Sequence, residues 1–387
     1  MYYIGIDISK YKHDCFICDE TGIIINENFS FKNDSKGFNL LLEELSKLDN
    51  SKTIKIGLES TGHYGINLKL FLEKNNYSFM EFNPVLIKKF INGQTLRKTK
   101  TDKVDAYLIA KYLMTVTYVA TPKNFYLKYS LKKLTRYRED LIKSRSKSIV
   151  KITNILDHIF PEFKPFFKNN LGKTALYILN KYHLPSKISN MRDYETIQKI
   201  SHGKFTNMQF IKLKNLAKDT IGESNNYLEL ELKLLLSSYF NTIQNIEVLD
   251  NEIISITNKL NSPILSIPGI GKLSAATIIA EYGDICNFKS SNAMLAYAGL
   301  EPSVIQSGTE LKSGKMVKRG SGHLRYILMN VAMFVVLHNA TFSVYYYKKR
   351  EEGKSHRVAL SHVAKKLIRI IYYLEINNTL FDASKLV

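Results

Sequence analysis

The sequence predicts an α/β domain followed by a long, mostly helical remainder, and three observations predict it. Short β-rich runs alternate with helical periodicity over the first 120 residues, heptad-like spacing fills the middle, and helix-forming stretches separated by glycine-rich turns follow Pro263. A length of 387 residues suits two or three domains of about 100–200 residues each. A hydrophobic share of 45% with 23% charged residues excludes a wholly disordered chain. The longest apolar stretch, Tyr326 to Leu337, is shorter than the roughly 20 residues of a membrane-spanning helix. No cationic leader with an apolar run opens the chain, and three cysteines cannot build a disulfide framework. The expected setting is therefore the cytoplasm, with no membrane partner.

Taken in order, Tyr2–Ile8, His13–Asp19 and Ile23–Phe31 read as strands, the last two joined by a turn at Glu20-Thr21-Gly22. Residues 35–48 have helical periodicity, with Asp34 or Ser35 as N-cap. Thr53–Leu58 reads as a strand, Ile66–Glu73 as a helix, Tyr77–Phe82 as a strand before Pro84, and about Asp102–Met114 as a helix. The order β-β-β-α-β-α-β-α is that of the ribonuclease H-like fold and defines a first domain over residues 1–120.

Residues 121–260 read as a helical, coiled-coil-like region. Leu127, Leu131, Leu134, Arg138, Leu141, Arg145, Ser148, Ile152, Ile155 and Ile159 follow a 4-3-4-3 spacing, a heptad seam interrupted by two arginines and a serine. Leu232, Leu235, Tyr239, Thr242, Ile246, Leu249, Ile253, Ile256 and Leu260 form a cleaner seam. The pair fits an antiparallel hairpin, a coiled coil made with another subunit, or two buried helices of one domain. Between them, residues 161–223 show no pattern and read as an insertion. Residues 261–387 form a third, mostly helical domain. Its Ser266-Ile267-Pro268-Gly269-Ile270-Gly271-Lys272 resembles a helix-hairpin-helix turn, in which Gly269, Gly271 and Lys272 suit phosphate contact or simply a tight connection. Helices over about Asn292–Gly299 and Leu324–Ala340 flank a Ser/Gly/Lys-rich loop, and a further helix and a short tail end the chain.

The net charge of +20 is unevenly placed. Residues 1–92 hold 11 basic and 12 acidic side chains and residues 176–302 hold 12 of each, whereas residues 93–175 hold 18 against 6 and residues 303–387 hold 14 against 5. Two basic segments alternating with two neutral ones suit faces that meet a nucleic acid, the plain alternative being a lysine-rich solvated surface.

Candidate chemistry lies in the carboxylates. Alternation puts Ile4, Ile6 and Ile8 on one face of the first strand and Asp7 on the other. Glu59 ends another apolar strand, and strand carboxyl ends are where open α/β sheets expose their sites. Asp102 and Asp105, spaced i,i+3, open a helix and can face one way. Arg97, Lys98 and Lys100 add positive charge beside them. Four converging carboxylates repel unless a divalent cation neutralises them, and oxygen-only ligation suits Mg²⁺ or Mn²⁺. Singly, each acid also has a structural reading, as a helix-start carboxylate or a strand-end turn residue. Cys15-Phe16-Ile17-Cys18 sits on a strand, where its sulfurs point to opposite faces, so neither a zinc nor a redox site is expected. His63 and Tyr64 read as an exposed loop pair beside Glu59.

The ordered segments Tyr3-Ile4-Gly5-Ile6-Asp7, Glu59-Ser60-Thr61-Gly62-His63-Tyr64, Leu96-Arg97 through Lys100-Thr101-Asp102-Lys103-Val104-Asp105-Ala106, Ser266 to Gly271, Ala296-Tyr297-Ala298-Gly299-Leu300-Glu301-Pro302, Gln306-Ser307-Gly308, Lys318-Arg319-Gly320 with Leu324-Arg325, and Phe381-Asp382-Ala383-Ser384 resemble the DEDD insertion-sequence transposases. That family combines a RuvC-like N-terminal domain with a serine-bearing transposase domain. The resemblance implies that Asp7, Glu59, Asp102 and Asp105 are the metal-binding set and that Ser307 is the nucleophile. It further implies a covalent phosphoserine intermediate, donor and target double-stranded DNA, a structured noncoding guide RNA, and a dimer or tetramer sharing composite sites. Lys312, Lys315, Lys318, Arg319 and Arg325 could then hold DNA phosphates around the serine. Ser303, Ser313 and Ser321 lie in the same region and compete with Ser307 on sequence grounds. The alternative function is a metal-dependent RuvC-like nuclease or junction resolvase, without a covalent intermediate.

Overall fold

The computed structural model describes residues 1–49, 51–60, 62–94, 102–120, 125–223, 225–307 and 310–385, with side chains at all of these except 28, 91–94, 102, 103, 302–315 and 385. Two compact units result, one of residues 1–130, 279–332 and 341–387, the other of residues 131–278 and 333–340.

Apolar residues at every second position build the first sheet. Its strands are β1 (Tyr2–Ile8), β2 (Lys12–Asp19), β3 (Ile24–Lys32), β4 (Ile54–Glu59) and β5 (Phe79–Phe82), in the order β3-β2-β1-β4-β5. Neighbours β1–β2 and β2–β3 are antiparallel, and β1–β4 and β4–β5 are parallel. One face is covered by α1 (Ser35–Ser46) and α2 (Ile66–Lys74), whose Phe38, Leu41, Leu45, Leu68 and Leu72 pack on Ile4, Ile6, Ile8, Ile56 and Leu58. Asp34 caps α1, accepting the Gly37 amide at 2.8 Å.

The other face is covered by α3 (Pro84–Gln94) and α4 (Asp102–Thr115). The helix α3 is absent from the sequence-based expectation. Its start is marked by Asn83, whose side chain accepts the Val85 amide at 2.9 Å, and by Pro84 in the first helical position. Contact of α4 with the sheet depends on Gly5, where an added Cβ would lie 2.2 Å from the Ala106 carbonyl oxygen and 2.5 Å from the Ala110 nitrogen. Only glycine admits backbone this close.

The middle of the chain is held by two 35-residue helices, α5 (Phe125–Ile159) and α11 (Asn226–Leu260). Between them lie α6 (Phe163–Phe166), α7 (Lys173–Tyr182), α8 (Pro185–Ile188), α9 (Tyr194–Ile200) and α10 (Asn207–Lys218). These short helices share a core with the facing ends of the long ones, joining Ile152, Ile155 and Ile159 to Leu179, Phe163, Leu213, Leu232 and Leu236. The stretch without a sequence pattern is thus a helical subdomain, built by aromatic and aliphatic side chains too irregularly spaced to announce a period. Arg138 of the first seam donates from Nη2 to Asp250 Oδ2 at 3.2 Å and also pairs through Nε. Its partner lies near the far end of α11, so the two seams meet in an antiparallel hairpin within one chain.

Beyond a 3₁₀ turn at Pro263–Ser266 come α12 (Lys272–Tyr282) and α13 (Ser291–Ala298), a two-stranded antiparallel pair β6 (Pro302–Ser307) and β7 (Glu310–Met316), α14 (Gly322–His338), α15 (Ala340–Glu351) and α16 (His356–Asn377). The region between α13 and α14, expected to be a loop, is a β-hairpin. Cross-strand pairing, which Ser, Gly and Lys do not advertise locally, overrides its weak strand propensity. Among the described residues no single helix is long and apolar enough to cross a membrane.

Candidate functional site

In the parallel pair of β1 and β4, Ile6 stands opposite Leu58, and the same offset carried one residue further sets Asp7 beside Glu59. Alternation turns both away from Ile6 and Leu58, toward the face covered by α4. Asp105 directly precedes Ala106, whose carbonyl lies over Gly5, two residues before Asp7. Asp7, Glu59 and Asp105, all half-buried, are therefore brought to one end of the sheet. Asp102 opens the same helix, and its side chain lies outside the described ones. No three His, Cys, Asp or Glu side chains among the described residues are gathered closely enough to hold a metal ion as they stand.

A further carboxylate borders this group. In β2, Asp14 stands directly across from Asp7, and Ser30 of β3 stands across from Asp14. Asp14 is only 2% exposed, accepts a hydrogen bond from Ser30 Oγ, and has Lys12 Nζ 3.1 Å away. Like charges facing across a sheet are unfavourable, and Lys12 offsets part of the cost. The signal in the sequence was present, since Asp14, like Asp7, interrupts a β-rich run. On the opposite face the buried His13 lies among Phe31 and Phe38, its ring 5.2 and 6.3 Å from theirs. Burial holds its pKa below the ordinary imidazole value. Cys15 and Cys18 join the cores on opposite faces, as expected of a strand, and burial pushes both thiols up, away from reactivity. His63 and Tyr64 form an exposed ring pair 4.3 Å apart.

Ser307 ends β6 and is registered opposite Glu310, while Lys312 stands across from Ile305. The side chains of Ser307, Lys312 and Lys315 lie outside the described ones, as do residues Arg97, Lys98 and Lys100 altogether. After β7, Lys318 and Arg319 are exposed on a segment clamped to the end of α13. Two glycines permit the clamp. Gly299 (φ +66°) would put a Cβ 2.1 Å from the Arg319 carbonyl oxygen, and Gly320 (φ +93°) one 2.0 Å from that of Tyr297. Arg325 Nη1 donates to the carbonyls of Ala298 (3.4 Å) and Lys318 (3.2 Å), so this guanidinium holds the loop. Ser321 donates from Oγ to Glu281 at 2.8 Å and accepts the Leu324 amide at 3.2 Å as a helix cap. Glu281, 1% exposed, escaped sequence reasoning because one acid in an Ala-rich helix carries no motif.

Gly269 (φ +94°) lies against the backbone of α14, where a Cβ would come within 2.8 Å of Phe334 O and Val335 N. Close packing accounts for this glycine. Gly271 and Lys272 are exposed at the start of α12.

Residues 4–161, which include all four predicted acids, match a family model of DEDD-type IS110 transposases, and residues 261–347, which include Ser307, match the model of the transposase family IS116/IS110/IS902. The chain belongs to this transposase family. Membership makes it a DNA transposase/recombinase and DNA its substrate. The transposase is 24% identical to the pilin gene-inverting protein of Moraxella bovis, over 98% of this chain and 97% of that protein. It is 22% identical to a mini-circle putative transposase for IS117 of Streptomyces coelicolor, over 99% and 96%. A shorter similarity, 36% over 19% of this chain and 21% of the relative, links it to the transposase of insertion sequence element IS1111A of Coxiella burnetii. The two matched segments flank residues 162–260, where most of the helical subdomain lies.

Proposed function

We propose that this transposase cuts and rejoins DNA by metal-assisted phosphoryl transfer through a serine, guided by a structured noncoding RNA. The main support is the parallel register that sets Asp7 beside Glu59 on the face of the helix that opens with Asp102 and Asp105. The strand order β3-β2-β1-β4-β5, antiparallel on one side of β1 and parallel on the other, supports a RuvC/ribonuclease H-like reading of residues 1–120. Residues 121–260 would be the helical region and residues 261–387 the serine-bearing domain.

Asp7, Glu59, Asp102 and Asp105 would hold Mg²⁺ or Mn²⁺. The donor types fit, being all carboxylate oxygen, and the β1–β4 register that sets Asp7 beside Glu59 supports the reading. When bound, such an ion polarises a phosphoryl oxygen and stabilises the charge that develops on it. The remaining chemistry belongs to the chain. Ser307 Oγ forms a bond to a DNA phosphorus as the bond to the departing strand oxygen breaks, and that oxygen ends with the proton. Attack by a strand hydroxyl on the phosphoserine reverses the step and joins new ends. Arg97, Lys98, Lys100, Lys312, Lys315, Lys318 and Arg319 would neutralise backbone phosphates, with Gly271 and Lys272 offering an exposed helix start. Arg325 and Gly269 serve by holding loop and turn. The cluster and the serine are read as acting from different subunits, which requires a dimer or tetramer working in the cytoplasm.

The test combines protein, element RNA, donor and target duplexes and Mg²⁺. Recombinant joints and a denaturant-resistant serine–DNA adduct are expected, and Ser307→Ala should lose both. Free cleaved ends with no adduct, indifferent to Ser307→Ala, would instead establish a nuclease.

A further inference from the structure

The α15–α16 hairpin collects positive charge that the candidate site does not use. Residues 345–369 hold eight Lys and Arg against two Glu, a net of +6 in one short stretch. The inner face of α16 is buried through Ala359, Val363, Ala364, Leu367, Ile368 and Ile371, and Tyr372 anchors it by donating to the Phe288 carbonyl at 3.3 Å. The face left outward therefore carries His362, Lys365, Lys366 and Arg369, one helical turn apart.

From α15, Lys349 joins this face. Its ammonium and that of Lys366 both lie over the Tyr345 ring, at 5.6 and 4.9 Å. Lys354 follows at the turn, its carbonyl accepting Arg350 Nη1 at 2.8 Å. Among the described residues the only ion pair in the cluster is Lys349 with Glu352 at 2.7 Å. Among the described residues Lys365 and Arg369 have no acidic partner. Burial, then Arg369, holds the Lys365 ammonium below the ordinary lysine value, and burial, then Lys365, Lys349 and Lys354, does the same for His362. Like charges are thus pressed together on a rigid helix face, at a cost that a polyanion would relieve.

We infer that the outward face of α16, with Lys349 of α15 and Lys354 of the turn that follows it, is a binding surface for the phosphate backbone of double-stranded DNA. The four α16 positions span about 10 Å at 1.5 Å per residue, and duplex DNA carries a negative charge every ~1.7 Å of axis, so several phosphates face the row at once. The lysine ammoniums of the row are compact point charges, which suit backbone phosphates whatever the base sequence. The Tyr345 ring, covered by two ammoniums, is not free to stack on splayed single-stranded bases.

The surface rests on DNA being the substrate of this transposase, and the experiment separates the two. Binding of the full-length protein to a fluorescent duplex is followed by anisotropy in EDTA, so that no cleavage intervenes, over about 50 to 200 mM KCl. Failure of the wild type to bind any duplex would remove the DNA reading itself. If it binds, the variant Lys365→Gln/Lys366→Gln/Arg369→Gln should lower the slope of log K against log salt by about 2.7, at ~0.9 per lost phosphate contact. An unchanged slope with unchanged circular dichroism overturns the surface while leaving the transposase reading intact. A loss seen with a structured RNA and not with duplex DNA also overturns it, by assigning the row to RNA. Should the triple variant fold poorly, Arg369→Gln alters one exposed side chain and should lower the slope by about 0.9.

Discussion

In the helical hairpin of α5 and α11 and the subdomain packed between them, charges near the core meet their opposites. Arg138 pairs with Asp250, and Glu229 lies between Lys187 at 2.6 Å and Lys233 at 2.8 Å. Burial opposes ionisation of Asp193, but donors from Lys181 and Tyr182 outweigh it and hold that carboxyl below the usual range. At the end of the first sheet, acids are set beside acids. Asp7 faces Asp14 on one side and adjoins Glu59 on the other, with Asp105 above. The α16 row is the same arrangement with the sign reversed. Charge that is balanced locally sets geometry, as the seam pair sets the antiparallel register. Charge gathered with one sign carries an unfavourable term that a ligand of the other sign would relieve.

That contrast can be broken in four ways. The largest effect is expected at Asp7→Asn, which should lower recombination by about 10³-fold, the scale of losing one transition-state stabiliser. Its melting temperature should stay level or rise, because one of two facing negative charges is gone. A melting temperature that falls with activity would make Asp7 a structural acid. Next, Gly5→Ala forces a Cβ into the Ala106 carbonyl and should cost about 1–3 kcal/mol in a urea titration, with activity falling further as Asp105 is displaced. Equal stability would show that α4 does not rest on Gly5. Third, Arg138→Ala leaves Asp250 without its partner and should cost about 1–3 kcal/mol. A double-mutant cycle with Asp250→Ala should recover most of that as coupling, with duplex binding unaltered.

The smallest effect concerns His13. Its folded pKa lies below the ordinary 6.5, so the folded chain resists a proton that the unfolded chain accepts. Stability from the neutral ring is complete above pH 6.5. It declines as pH falls below that value, by at most about 1.4 kcal/mol per pH unit. His13→Leu should flatten this acid limb of a melting-temperature profile. An unchanged limb would mean that His13 is protonated in the folded state.

Legibility followed the range of the forces. Strand β1 was readable to the residue, the α1 cap to Asp34 or Ser35, and the starts of α1, α2 and α4 were readable too, because alternation, capping and periodicity act within a few residues. Asp7 and Glu59 stood out as acids in or beside apolar strands, and Asp102 and Asp105 as a pair spaced i,i+3 at a helix start. The β6–β7 hairpin did not, since its pairing partner, and not its composition, makes it a strand pair. Nor did Asp14, whose significance is its cross-strand position, or Glu281, which matters only because Ser321 folds back onto it. The helix at Pro84–Gln94 left a signal in Asn83-Pro84, a turn-and-start pair read simply as a strand end.

By itself the sequence determined the α/β start, the two long seams, the split of the positive charge and the acids that interrupt the strands. Each depends on neighbours along the chain, where spacing translates directly into a face. Tertiary structure decided which partner each face met. It set Asp7 between Glu59 and Asp14, and turned two seams that could have joined two subunits into one antiparallel hairpin through Arg138 and Asp250. It left the α16 lysines outward as well. The physical reason is that periodicity specifies a surface, whereas register, burial and charge pairing are properties of two surfaces brought together.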